Sequence, residues 1–172
     1  LLSIEEEVVE SINELRYNLT YFPNVKLSRN LKATTDRSVL KDADIIFMAI
    51  PSVAVVGYIL GNKEIINPKA VIVNLAKGFG KCDSLIPDCL QGQLPNPIMM
   101  MKGPSFAREI INRQDTGFTL ACSDNQCFSE ISELFENTNI CFDFSNDITG
   151  VELASILKNR IQNIQLPQIC AI

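Results

Sequence analysis

Short apolar runs alternate with segments that favour helix, and this alternation constrains the fold more than any other feature of the chain. The apolar runs lie at residues 44–50, 70–75, 97–101, 118–122 and 140–144. Segments with helical patterns lie between them, at residues 52–60, 84–90, 106–111 and 127–136. Continuous apolar runs separated by helices are typical of parallel strands, which are buried on both faces. The sequence therefore predicts an α/β domain with a mostly parallel sheet.

The first 43 residues have a different pattern. Residues 3–18 carry apolar side chains at helical spacing behind a Ser3/Glu6 capping pattern, which predicts a helix. A turn around Pro23-Asn24 and a short strand at 31–34 are expected next. Thr35 and Asp36 then resemble the cap of a brief helix that runs through Leu40.

Composition excludes several classes of protein. The chain has 172 residues, of which 47% are hydrophobic, and a net charge of −5, so it is globular and is not expected to bind nucleic acid. No apolar run approaches the length of a membrane span, and the acidic start does not resemble a signal peptide. We therefore expect no membrane association and a cytoplasmic location.

The chain has six cysteines and no histidine. The cysteines are Cys82, Cys89, Cys122, Cys127, Cys141 and Cys170. They form no C-x-x-C pair and the chain has no histidine, so we expect thiols in a reducing compartment and no metal site. Without histidine, lysine becomes the leading candidate for proton transfer, provided that burial or a neighbouring cation lowers its pKa.

Polar and turn-forming residues follow three of the apolar runs. They are Pro51-Ser52, Lys77-Gly78 and Gly103-Pro104-Ser105. In parallel α/β sheets, ligands bind beyond the carboxyl ends of the strands, so this shared position is the main physical indication of a site. Taken singly, each signal has an ordinary alternative: Lys77 as a solvated loop residue, or Ser105 as the N-cap of the next helix. Gly78-Phe79-Gly80 lacks the third glycine of a dinucleotide fingerprint and is interpreted as a turn.

The last helical pattern, residues 147–165, carries the most specific single candidate. Its apolar stripe consists of Val151, Ala154, Leu157, Ile161 and Ile164. Lys158 stands four residues after Ala154 and seven after Val151, on or beside this stripe. The alternatives are a functional, partly buried lysine and a lysine whose ammonium extends from the edge of the stripe to solvent.

Several short motifs together resemble NAD(P)-dependent glycerol-3-phosphate dehydrogenase of the bacterial type. The most specific are Ala76-Lys77-Gly78, Gly103-Pro104-Ser105-Phe106-Ala107 and Leu157-Lys158-Asn159, with further matches at residues 7–13, 30–36, 49–52 and 150–153. They occur in the family's order and at its spacing. Each motif alone is weak, but the set is highly specific.

The resemblance implies a Rossmann-like domain and the reduction of dihydroxyacetone phosphate to sn-glycerol 3-phosphate, a precursor of glycerophospholipids. It implies that Lys158 is the general acid/base and also contacts the substrate, and that Lys77 is shared by substrate and cofactor. Further substrate contacts would be Gly103, Ser105 and Asn159. Contacts to NAD or NADP would be Ala107, Pro51 and Ser52. A homodimer is also expected.

The resemblance also predicts the domain organisation. Residues 1–146 would form a dinucleotide-binding domain without its first strand and Gly-rich loop, and residues 147–172 the first helix of an all-helical substrate domain. A chain of this kind is expected to be one part of such an enzyme. The alternative from another class is a non-catalytic remnant or partner-binding fragment, and a G-x-G-x-x-G segment before Leu1 would distinguish the two.

Overall fold

A computed structural model describes residues 1–103, 107–123 and 125–163, with side chains described for all of these except 82, 125 and 159–163. The chain divides into two compact units, Leu1–Ala43 and Asp44–Ile172. The α/β sheet predicted from the apolar runs lies in the second unit.

The first unit combines short helical turns with a hairpin. Its elements are helix α1 (Glu6–Glu10), a π-helical turn (Ser11–Leu15), strands β1 (Tyr17–Asn18) and β2 (Phe22–Lys26), and a 3₁₀ helix (Arg37–Lys41). Strands β1 and β2 pair antiparallel. Val8 and Ile12 pack with Ala33 in a small buried cluster. The predicted first helix is therefore present but ends at Leu15, and the predicted Asp36 cap is confirmed because its carboxylate accepts from Ser38 N–H at 2.8 Å.

Two predictions for this unit are wrong. Pro23 and Asn24 lie inside strand β2 rather than in a turn, which a two-stranded ribbon tolerates because one side of each strand lacks ladder partners. Residues 31–34 form no strand, and Thr34 makes an isolated bridge with Leu2. The side chain of Asn13 hydrogen-bonds to both backbone groups of Ala33. Its Nδ2 donates to the Ala33 carbonyl and its Oδ1 accepts from the Ala33 N–H, each at 2.9 Å.

The second unit contains every strand that the apolar runs predict. Its strands are β3 (Ile45–Met48), β4 (Val71–Asn74), β5 (Ile98–Lys102), β6 (Thr116–Ala121) and β7 (Ile140–Ser145). Its helices are α2 (Ser52–Gly61), α3 (Ile86–Leu90), α4 (Ala107–Ile111), α5 (Asn125–Glu133) and α6 (Ile148–Asn163), with a 3₁₀ turn (Lys81–Asp83) before α3. None of the helices within the described residues has the length and apolar character needed to cross a bilayer.

The strands form one sheet in the order β3-β4-β5-β6-β7. All neighbours pair parallel except β5 and β6, so the prediction of a mostly parallel sheet is confirmed. The sheet therefore consists of a parallel group β3-β4-β5 and a parallel pair β6-β7 that runs in the opposite direction.

Strand β3 differs from its prediction as a strand buried on both faces. It lies at one end of the described sheet, and Phe47 on it is 39% exposed. Its apolar sequence reflects packing on one face and an aromatic contact on the other, since the Phe47 ring lies 6.2 Å from that of Phe135.

Side chains alternate between the two faces of the central strands β4 and β5. On one face, apolar side chains form a cluster with Ile131 of α5; these are Val71, Val73, Met99 and Met101. The side chains between them point to the other face, as strand geometry requires; these are Ile72, Asn74, Met100 and Lys102. Helix α6 packs against β5 and β6. The second face therefore carries buried polar groups at the carboxyl ends of both strands.

Candidate functional site

The loops after β3 and β4 meet at the carboxyl edge of the sheet. Pro51 is the N-cap of α2, without a side-chain capping hydrogen bond, and Ser52 is the first residue of the helix. Gly78 has φ +131, and a Cβ there would lie 2.8 Å from Ser52 Oγ. A side chain at position 78 would therefore be strained and crowded, and glycine lets the two loops approach each other.

A buried asparagine shapes the segment that leads to Lys77. Asn74 ends β4 and is 1% exposed. Its Oδ1 accepts from the backbone N–H of Ala76 at 3.0 Å, and its Nδ2 donates to Met100 Sδ at 3.4 Å. These bonds satisfy a polar group inside the sheet and fix the turn into Lys77.

Gly103 follows β5 directly, and its absent side chain has a reason that the sequence analysis did not foresee. A Cβ there would overlap the carbonyl oxygen of Gly117 and lie 3.1 Å from Cα of Phe118, both on strand β6. Close approach of two strands thus requires glycine here. The contact of Gly103 with the substrate stays a prediction.

A cavity of about 180 Å³ opens between the end of β5, strand β6 and helix α6. Its lining residues are Lys102, Gly103, Thr119, Val151, Ala154, Ser155 and Lys158. Two of the residues predicted from sequence, Gly103 and Lys158, therefore line the same cavity. Its volume suits a small ligand.

The described part of the predicted apolar stripe of α6 does not form the buried face of the helix. Leu157 is 60% exposed and Ala154 is also exposed, whereas the buried ones among the described side chains of α6 are Glu152 and Ile156, at 1% and 3%. The side chains of Ile161 and Ile164 lie outside the described part of the structure. For the described residues the stripe prediction is wrong, because apolar spacing alone does not decide which face meets a partner surface. Val151, Ala154 and Lys158 do share a face, as their spacing predicts, and that face borders the cavity.

Lysine charges interact at this edge of the sheet. Burial lowers the pKa of Lys77, and the positive charge of Lys158 lowers it further. Burial also lowers the pKa of Lys102 to about 8, against the opposing charge of Glu152 and with a further contribution from Lys77. Side chains from a strand-end loop, a strand and a helix therefore act on one another electrostatically.

Lys102 and Glu152 are polar residues that the sequence analysis did not assign to the site. Lys102 is 4% exposed, and its Nζ donates to the carbonyl of Ala76. Glu152 Oε1 accepts from the backbone N–H of Ile86 at 3.3 Å. Burial raises the pKa of Glu152, while the Ile86 hydrogen bond and the charge of Lys102 act in the opposite direction and Asp88 reinforces the rise. Each had a weak sequence signal: Lys102 continues an apolar strand run, and Glu152 precedes buried Ile156 by one helical turn.

The remaining predicted residues are placed as follows. Ala107 is the exposed first residue of α4. Asn159 lies on the backbone of α6, directly after Lys158, and its side chain lies outside the described part of the structure. Ser105 also lies outside the described residues, as do its neighbours Pro104 and Phe106.

Comparison with known families shows which family the chain belongs to. The model of the N-terminus of NAD-dependent glycerol-3-phosphate dehydrogenase matches residues 1–128 of the chain. The chain belongs to this family. The family is NAD(P)-dependent, and its N-terminal part is a dinucleotide-binding Rossmann domain, so the fold expected from the resemblance is confirmed.

Individual glycerol-3-phosphate dehydrogenases support the assignment. The chain is 36% identical over 162 residues to the glycerol-3-phosphate dehydrogenase [NAD(P)+] of Bacillus subtilis, covering 90% of this chain and 47% of the relative. It is 33% identical to the chloroplastic NAD(+) enzyme 2 of Arabidopsis thaliana, covering 88% and 37%. The crystal structure of glycerol-3-phosphate dehydrogenase from Coxiella burnetii superposes with a TM-score of 0.85 at 28% identity, covering 92% of this chain and 50% of that one. The chain thus spans half or less of the length of these relatives.

In this member of the family, the loops at the carboxyl edge of β3 and β4 have features that dinucleotide sites use. Gly78 leaves open the space that a Cβ would fill beside the Ser52 hydroxyl. The ten-residue helix α2 begins at the same turn, and the N–H groups at the start of a helix favour anions such as phosphates. Parallel strand ends, a glycine without steric bulk and a helix N-terminus are the components of dinucleotide sites in this fold class.

Proposed function

We propose that the protein reduces dihydroxyacetone phosphate to sn-glycerol 3-phosphate with NADH or NADPH, and so provides the glycerol backbone of phospholipids. The observation that carries this proposal is that Lys158 of α6 and Gly103 after β5 line one cavity, and that the charge of Lys158 acts on Lys77 from the loop after β4. Two cations beside one carbonyl favour the alkoxide that develops on its oxygen during reduction. Membership of the glycerol-3-phosphate dehydrogenase family supports the same reaction.

Each residue has a proposed role in this reaction. A bound nicotinamide would supply the hydride, which ends on the former carbonyl carbon. Lys158 donates the proton to the carbonyl oxygen, which becomes the product hydroxyl. Lys77 holds the substrate and borders the cofactor. Gly103, Ser105 and Asn159 form the rest of the substrate contacts, and Pro51, Ser52 and Ala107 contact the dinucleotide.

The test is a steady-state assay of the full-length protein, with oxidation of NADH or NADPH followed against dihydroxyacetone phosphate. Lys158→Ala should lower kcat by about 100-fold or more, the usual scale for a positioned acid or base. Lys69→Met is the matched control, because Lys69 is exposed and lies two residues before the amino end of β4, at the opposite edge of the sheet. Near wild-type turnover in Lys158→Ala would contradict the proposed acid role.

A folded full-length protein that oxidises neither nucleotide with dihydroxyacetone phosphate would overturn the proposed activity and favour the non-catalytic alternative. A homodimer and a cytoplasmic location belong to the same proposal and are supported by the family resemblance. Sedimentation of the purified protein tests the first. Fractionation of the source cells tests the second.

A further inference from the structure

Lys102 is a buried cation that no step of the proposed reaction uses. It ends strand β5, where the three preceding residues are the apolar Met99, Met100 and Met101. Burying a lysine in a sheet is costly unless its ammonium is compensated. Lys102 is nevertheless only 4% exposed, and it lines the cavity beside Gly103.

One hydrogen bond and one opposite charge compensate the Lys102 ammonium. Its Nζ donates to the carbonyl of Ala76, the residue directly before Lys77. The carboxylate of Glu152, on α6, attracts it from the helix that closes the cavity. An ammonium has three donors, and the Ala76 carbonyl accepts from one of them. The group therefore has the capacity to bind a ligand oxygen in the cavity that it lines.

The charges around the cavity are predominantly positive. Among the described residues, Lys77 and Glu152 act electrostatically on Lys102, Lys158 acts on Lys77, and Asp88 acts on Glu152. Glu152 is not among the residues that line the cavity, and one of its carboxylate oxygens accepts from the backbone N–H of Ile86. Glu152 opposes only part of the charge that the lysines place at the cavity wall.

We propose that Lys102 is a further substrate-binding residue, whose ammonium, hydrogen-bonded to the Ala76 carbonyl and attracted by the Glu152 charge, binds the phosphate-bearing ligand in the cavity that it shares with Gly103 and Lys158. This inference rests on the proposed function, and it adds a residue that determines preference for an anionic substrate. Glu152 acts through Lys102 as a positioning residue. Its negative charge lowers the cost of burying the cation and also weakens the attraction for an anion.

Titration of the full-length protein with inorganic phosphate, followed by NMR at pH 7, separates this role from a structural one. Lys102→Met removes the cation and keeps the length of the side chain, so the Kd for phosphate should rise about tenfold or more, the scale of one charge-assisted hydrogen bond. Glu152→Gln removes the opposing charge, but it also lowers the pKa of Lys102, which the Glu152 charge raises. The protonation of Lys102 is therefore followed in the same NMR titration, and at pH values where both proteins hold the ammonium the Kd should fall about threefold. Lys69→Met, at the other edge of the sheet, should stay within twofold of wild type.

Opposite signs are the decisive result, because a merely structural pair predicts that both substitutions weaken binding. A Kd within twofold of wild type for Lys102→Met, or a Kd for Glu152→Gln that equals or exceeds the wild-type value, would overturn the inference. If one of the two variants does not fold, the Kd for phosphate of the other variant decides the inference alone. Absence of phosphate binding by the wild-type protein counts against the inference as well.

Kinetics distinguish failure of this inference from failure of the proposed function. In an active enzyme, Lys102→Met should raise KM for dihydroxyacetone phosphate about tenfold and change KM for the nucleotide and kcat by less than threefold. If the Lys102→Met enzyme is active and its KM for dihydroxyacetone phosphate is unchanged, the proposed function stands and the role of Lys102 is contradicted. If the wild-type protein has no reductase activity but the two variants still shift the Kd for phosphate in opposite directions, the role of Lys102 stands and the proposed substrate is contradicted.

Discussion

The two faces of strands β4 and β5 differ in what they bury. On the α5 face, side chains such as Val73, Met99 and Ile131 are fully buried among other apolar groups. On the opposite face, the same two strands end in Asn74 and Lys102, which are 1% and 4% exposed. Adjacent residues of one strand therefore lie in very different environments.

This difference separates stability from binding within a single sheet. Apolar burial on the α5 face contributes favourable free energy without directional requirements. Each polar group on the other face needs a partner. Asn74 has two hydrogen-bond partners, and Lys102 has one carbonyl hydrogen bond and the attraction of the Glu152 charge. These polar groups lie at the strand ends, where ligands bind in α/β sheets.

The largest expected effect is on the apolar face. Ile131→Ala should lower the free energy of unfolding by about 3 to 4 kcal/mol, because it removes a fully buried side chain and leaves a cavity in the cluster. Urea denaturation of the full-length protein measures this, and Ile131→Val is the graded control at about 1 kcal/mol. The Kd for phosphate should not change. A loss of stability below about 1 kcal/mol for Ile131→Ala would remove the distinction between the faces.

The second prediction uses the pH dependence of the polar face. Lys102 has a pKa of about 8 in the fold, against the ordinary lysine value of 10.5. Between these values the unfolded chain holds a proton that the folded protein has released, so the free energy of unfolding rises with pH through this window. The full shift corresponds to about 3 kcal/mol.

This dependence is measured as the difference between wild type and Lys102→Met/Glu152→Gln, in which neither position titrates. Wild type should gain stability relative to the double variant from about pH 8 toward 10.5. A difference that stays flat across that range would show that the Lys102 ammonium keeps its ordinary pKa, and that this face is not built around a costly buried cation.

The smallest expected effect concerns Gly103, directly after β5, where the chain lies close to Gly117 of β6. Gly103→Ala should destabilise the protein by about 2 kcal/mol, because the added Cβ meets the backbone of Gly117 and Phe118. Gly117→Ala is the matched control, since nothing lies within 4 Å of the Cβ position there, and it should stay within about 1 kcal/mol of wild type. Equal effects at the two positions would contradict the close approach at Gly103.

Much of the second unit could be predicted from the sequence, because its strands are continuous apolar runs bounded by turn-forming residues. The positions of Lys77 and Gly103 at strand ends followed from the same pattern. The first unit was predicted less well. Its hairpin includes Pro23, a residue that normally argues against a strand, and the segment at 31–34 is bound by the side chain of Asn13, which no local pattern reveals.

The site was predictable only where a residue type was unusual for its position. Lys158 stood on a face with Val151 and Ala154, and that face does border the cavity, although the helix buries Glu152 and Ile156 instead. Lys102 and Glu152 were not assigned to the site from the sequence. They lie fifty residues apart in the chain, and their electrostatic interaction arises only when the fold brings them together. The roles of Ser105, Asn159 and Ala107 stay predictions from the family resemblance.

The sequence by itself determined the order of strands and helices, the turns that follow the strands, and the family, because these depend on local periodicity and short motifs. The tertiary structure decided which strands pair, the reversal at β6, and the burial of Asn74, Lys102 and Glu152. The physical reason is that burial and electrostatic coupling depend on distances between segments far apart in the chain. Those distances exist only after the sheet and α6 have packed together.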